Sequence, residues 1–183
     1  KFVILPAQTV APSETYLLGT QHTNNSNWVY GVSYLDSGKV SEGIAYIDGL
    51  GKSRQVQSKL NTENKIMAVE AAYSEEGGGA VLTLPAPLQQ STTAFGYAHR
   101  FFDVVKGGQT VDFKTADFDR EIVAAMGPNT LISPTAVDNT SDVGAYYGAT
   151  GPDAYVDNAQ GYPYSYNVGY SSPLQRPMLT AGG

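Results

Sequence analysis

Residues 27–47 read NWVYGVSYLDSGKVSEGIAYI, and how they pair decides the fold. Asp36-Ser37-Gly38 interrupts two alternating runs, as a type I turn does when glycine takes the left-handed bulge position. A three-residue loop there fixes a register in which Tyr34 faces Val40, Val32 faces Glu42, Tyr30 faces Ile44 and Trp28 faces Tyr46. Side chains alternate across a strand with period two, so all of these share one face. That face is aromatic or branched, with Glu42 the one intruder. The opposite face pairs Leu35 with Lys39, Ser33 with Ser41, Gly31 with Gly43 and Val29 with Ala45. One side supplies core and the other is nearly flat, to be solvated or approached by another backbone.

Similar signals continue outward. Ser53–Leu60 is a weak, polar strand after the turn Asp48-Gly49-Leu50-Gly51, and the basic residues Lys52, Arg54, Lys59 and Lys65 read as a solvated face. Lys65–Tyr73 places Met67, Val69, Ala71 and Tyr73 on one face and Glu70 on the other. Gly79–Leu84 answers it across a glycine-rich loop, and Pro85 and Pro87 end that strand. Thr93–Phe102 reads as a third long strand, turned back at Lys106-Gly107-Gly108-Gln109 into Thr110–Phe113. At the N-terminus, Phe2–Leu5 is an apolar strand bounded by Pro6, and Thr15–Thr20 is a second short one. Asp117 in an N-cap position, acidic residues in the first turn and Gly127-Pro128 as a stop predict a short helix over Phe118–Met126.

From Gly144 to Tyr170 the chain holds seven of its thirteen tyrosines among Gly, Asn, Pro and Asp, with no sustained period. The expectation is a mainly β chain, an antiparallel sandwich or jelly roll with one short helix. Residues 1–143 would form the domain, with 1–10 as a strand exchanged between subunits, and 144–183 an irregular C-terminal arm.

Composition narrows the function classes. With 183 residues the chain is long enough for a core without staples, and with no cysteine it has no disulfide, thiolate site or cysteine nucleophile. A net charge of −6 with only 11 Lys and Arg argues against nucleic acid as partner. No apolar run reaches the ~20 residues of a membrane-spanning helix. The start at Lys1 suggests a processed chain, compatible with export or virion maturation.

Chemistry-bearing motifs are sparse. His22 and His99 belong to no ligand set. Asp138, Thr140 and Asp142 imitate the start of a calcium loop, but Val143 stands where its glycine belongs and Ala149 where its closing carboxylate should be. Asn24 and Asn139 head glycosylation sequons. No catalytic residues, metal or cofactor are expected.

The expectation is therefore a non-enzymatic structural subunit, extracellular or on a virion, whose partners are copies of itself or other coat or filament subunits. Its contacts would come from Phe2, Val3, Ile4 and Leu5, from the flat face at Gly31, Ser33, Ser41 and Gly43, and from Tyr146, Tyr147, Tyr155, Tyr162, Tyr164 and Tyr166. The alternative is a secreted carbohydrate-binding module with Trp28, Tyr30, Glu42 and Tyr46 as platform. A hydrolase using two carboxylates comes third.

Overall fold

The structure is a computed structural model and describes residues 26–34, 39–73, 80–89, 94–114, 117, 134–169 and 177–181. The expected strands before residue 26, the helix over 118–126 and the turn at 36–38 lie outside these residues.

The first hairpin forms in the register its sequence dictates. β1 (Asn27–Tyr34) pairs antiparallel with β2 (Val40–Ile47), setting Trp28 opposite Tyr46, Tyr30 opposite Ile44 and Ser33 opposite Ser41. β3 (Ser53–Leu60) and β4 (Lys65–Tyr73) extend the sheet as a meander. The far edge of β4 is shared by β5 (Ala80–Thr83) and the two-residue β6 (Ala86–Pro87). Between them the register slips by one residue, since Ala71 faces Leu82 while Ala68 faces Ala86. At the slip Thr83 Oγ accepts the Glu70 N–H at 2.9 Å, so a side chain replaces the ladder bond that the bulge removes.

β7 (Asp103–Lys106) and β8 (Gln109–Asp112) form a separate hairpin. Gly107 and Gly108 both have positive φ, as a two-residue type I′ turn requires. The strand expected over Thr93–Phe102 is corrected here: residues 95–98 belong to no backbone ladder, and the strand starts at Asp103.

Described residues of the C-terminal stretch add a helix and two strands. α1 (Asp142–Tyr146) is a five-residue helix capped by Ser141, whose hydroxyl accepts the Gly144 N–H. β9 (Tyr164–Gly169) pairs with β5 on one side and β10 (Pro177–Ala181) on the other. The class is therefore mainly β and antiparallel, and among the described residues the one short helix lies at 142–146.

Two apolar clusters sit on the inner side of the sheet. Ile44, Tyr46, Ile66 and Phe95 form one. The larger includes Ala68, Val81, Phe101, Phe102, Val104, Phe113, Val143, Tyr164 and Tyr166. Within it Phe102 stacks on Phe113 at 4.3 Å between ring centres, and Tyr164 leans on both at 5.6 Å. Leu88 packs against both clusters. No helix among the described residues is long and apolar enough to cross a membrane.

Candidate functional site

Following each residue across the ladder sorts the sheet into rows. On the outer side, Val29 faces Ala45, Ala45 faces Val56 and Val56 faces Val69. The neighbouring row runs Gly31, Gly43, Ser58, Met67 and Pro87. Val29 is 60 % exposed and Val56 41 %, with Ala45 and Val69 half-buried. An apolar row thus crosses four strands beside a row that is flat at Gly31, Gly43 and Ser58. Gly31 has nothing within 4 Å of the place a Cβ would take, whereas at Gly43 a Cβ would lie 3.3 Å from the Gln57 carbonyl. The flat face read from the hairpin is present, and it continues beyond it. Val56, Met67 and Val69 were missed as surface residues because β3 and β4 were read singly. Carrying the Val29–Ala45 parity across the next two registers would have found them.

The inner rows hold the opposite surprise. Gln55 and Gln57 of β3 are fully buried and Glu70 of β4 nearly so, while Val56 between them faces out. Each glutamine amide grips the backbone of residues 96–98 as a neighbouring strand would. Gln55 accepts the Ala98 N–H at 2.9 Å and donates to the Ala98 carbonyl at 3.1 Å. Gln57 donates to the Gly96 carbonyl at 2.6 Å and accepts its N–H at 3.4 Å. Gln57 also donates to Gln55 at 2.7 Å, and Gln55 to Glu70 at 2.8 Å. Tyr97 donates to the other Glu70 oxygen at 3.2 Å. Residues 95–98 lie across the inner face of the sheet and are fastened to it by side chains.

Burial pushes the Glu70 carboxyl up from its ordinary 4.5 to about 7, against the pull of the Gln55 and Tyr97 hydrogen bonds and the charge of Arg54. Such a group suits proton transfer in an open cleft. Glu70, however, has both oxygens engaged, and a groove of about 420 Å3 with walls at Tyr46, Asp48, Arg54 and Tyr97 does not include it. Its place in the structure is to join β3, β4 and the 95–98 segment.

The alternative platform is broken up. Tyr46 is 1 % exposed and packs edge-on against Tyr97 at 5.4 Å, so it offers no face for a sugar ring. Its hydroxyl is buried without a partner among the described residues, and desolvation raises it to about 12. Trp28 and Tyr30 are half-buried against the same cluster. Glu42 accepts from the Tyr30 hydroxyl at 2.9 Å and pairs with Lys59 at 3.6 Å, at the rim of the inner face.

The expected assembly residues divide three ways. Gly31, Ser33 and Ser41 are exposed, with Gly43 half-buried beside them. Tyr164 and Tyr166 are buried in the chain's own core, because β9 is a sheet strand. Tyr146, Tyr147 and Tyr162 pack half-buried against that core, while Tyr155 is 98 % exposed. Phe2, Val3, Ile4 and Leu5 lie outside the described residues.

The carboxylates of the calcium-like stretch are engaged within the protein. Asp138 accepts from the Thr110 hydroxyl and the Thr140 N–H, and Asp142 from the Gln89 N–H. His99 is exposed, its ring against Tyr97. Comparison with known proteins finds no matching family model, curated protein or solved structure.

Proposed function

We propose that the chain is a non-enzymatic structural subunit that assembles with copies of itself, as a coat or decoration protein on a virion or as a unit of an extracellular filament. The observation that carries this reading is the exposed apolar row Val29–Ala45–Val56–Val69 on the outer side of the sheet. Contiguous exposed apolar surface of this kind marks sites where another protein docks, because leaving it in water forgoes its burial energy. The flat row of Gly31, Gly43 and Ser58 beside it lets a second surface approach closely. The apolar run Phe2–Leu5 supplies a second candidate contact, and Tyr155 a third.

Sedimentation velocity and electron microscopy of the full chain test the proposal. Wild type is expected to associate in a concentration-dependent way, and Val56→Glu to stop it. Because Val56 faces out, that variant should keep the wild-type circular dichroism spectrum. A wild-type chain that stays monomeric at the highest attainable concentration overturns the reading.

A further inference from the structure

We propose that the outer side of the sheet packs face to face on the same side of a second copy, the valine row of each seated over the glycine–serine row of the other. The proposal rests on the self-assembly reading and specifies which surface of the second copy is met. Outward parity places Val29, Ala45, Val56 and Val69 in one row. Gly31, Gly43, Ser58 and Met67 form the next, two residues further along β1, or about 7 Å away. The first row is a ridge, with Val29 and Val56 exposed along it. The second is a furrow over β1, β2 and β3, closed at β4 by Met67, and Gly31 and Ser58 lie exposed in it. Neither row carries a charge. In a chain of net charge −6, an uncharged face is where two copies meet with least repulsion.

A ridge running beside a parallel furrow is complementary to itself under one operation. A two-fold axis lying between the two sheets, parallel to the rows and midway between them, turns each ridge onto the other copy's furrow. It keeps β1 over β1 and β2 over β2, running in opposite directions, within the roughly 30° that the twist of aligned sheets imposes. Val29 then sits over the second copy's Gly31, Ala45 over its Gly43, Val56 over its Ser58, and Val69 against its Met67. An axis parallel to the strands would instead stack ridge on ridge and hold the sheets apart.

The size of the face also fits a second copy. Four strands about 4.8 Å apart, crossed by four outward rows about 7 Å apart, cover about 500 Å2 on each copy. Burying both faces removes about 1,000 Å2 from water, at the lower end for a specific contact. Association through this face is therefore concentration-dependent.

Val56 and Ser58 are both exposed, so charges placed there leave the fold intact, as circular dichroism should show. In sedimentation velocity, full-length Val56→Glu is expected to be monomeric, and full-length Ser58→Lys to associate at least about tenfold more weakly than wild type. Mixed in equal amounts, the two variants should form a 1:1 dimer. The carboxylate introduced at position 56 of one chain then meets the ammonium introduced at position 58 of the other, while the second ridge-to-furrow contact stays wild type. A mixture that remains monomeric while wild type associates overturns the proposal and means that the valine row meets some other surface. The assembly reading then still stands on wild type and Val56→Glu, whereas a monomeric wild type removes both. Should either charged chain fold poorly, Gly31→Val decides, since Gly31 has open space at its Cβ. Filling the furrow there should weaken association at least about tenfold, and adding Val29→Ala should restore most of it. Gly31→Val that associates as wild type does overturns the proposal.

Discussion

Glu70 shows what a single buried carboxylate does to a sheet. Its folded-state value of about 7 lies above the unfolded 4.5, so the folded chain holds the proton more tightly. The stability this contributes is complete below about 4.5, declines as pH rises toward 7 and is gone above it, a span of about 3 kcal/mol. Glu70→Gln keeps an acceptor for Gln55 and removes the titration. Relative to wild type, the variant is expected to gain about 2–3 kcal/mol on moving from about pH 5 to about pH 8, read from urea unfolding at each pH. Gln55→Leu acts in the opposite sense at every pH. It strips one Glu70 oxygen and both Ala98 backbone groups of a partner, at about 1–3 kcal/mol for each group left buried and unpaired. Gly144 is a further residue with no latitude: a Cβ there would lie 2.1 Å from the Asp138 carbonyl oxygen. Gly144→Ala is therefore expected to lower the melting temperature sharply, as overpacking against backbone costs 1–3 kcal/mol or more.

At the scale of the element, the β1–β2 hairpin was legible because three signals agreed: turn residues, alternation and an aromatic set that a one-residue slip would expose. β3 was not legible to the same degree. Ser53–Leu60 reads only as a weak, polar strand, and nothing in it says which face turns inward. The structure buries Gln55 and Gln57 because a glutamine amide carries a donor and an acceptor in the geometry of a peptide group, so it can be buried against a bare backbone segment at little cost. That depends on residues 95–98, some forty positions away, and no local pattern announces it. The two hairpin glycines give a clean test of the outer face. Gly31→Ala meets nothing and should leave the melting temperature unchanged or raise it slightly, since glycine in a strand is entropically unfavourable. Gly43→Ala presses on the Gln57 carbonyl and should cost about 1 kcal/mol.

For the whole molecule, truncation separates the expected arm from the built-in strand. Composition alone made residues 144–183 a detachable arm, since their tyrosines and glycines show no period. Yet β9 lies between β5 and β10, and Tyr164 and Tyr166 fill the larger cluster. A chain ending after Val143 is therefore expected to lose cooperative unfolding in calorimetry, whereas one lacking residues 1–10 should retain it and show weakened association. The fastening of residues 95–98 has a consequence for how sequence variation can reach this core. Backbone ladders survive almost any change of side chain, because the groups that bond are common to all residues but proline. Here the backbone bonds of Gly96 and Ala98 to the sheet are written in two codons, Gln55 and Gln57. A single base change that removes an amide at either position breaks backbone bonds that no substitution of Gly96 or Ala98 themselves, short of proline, would remove.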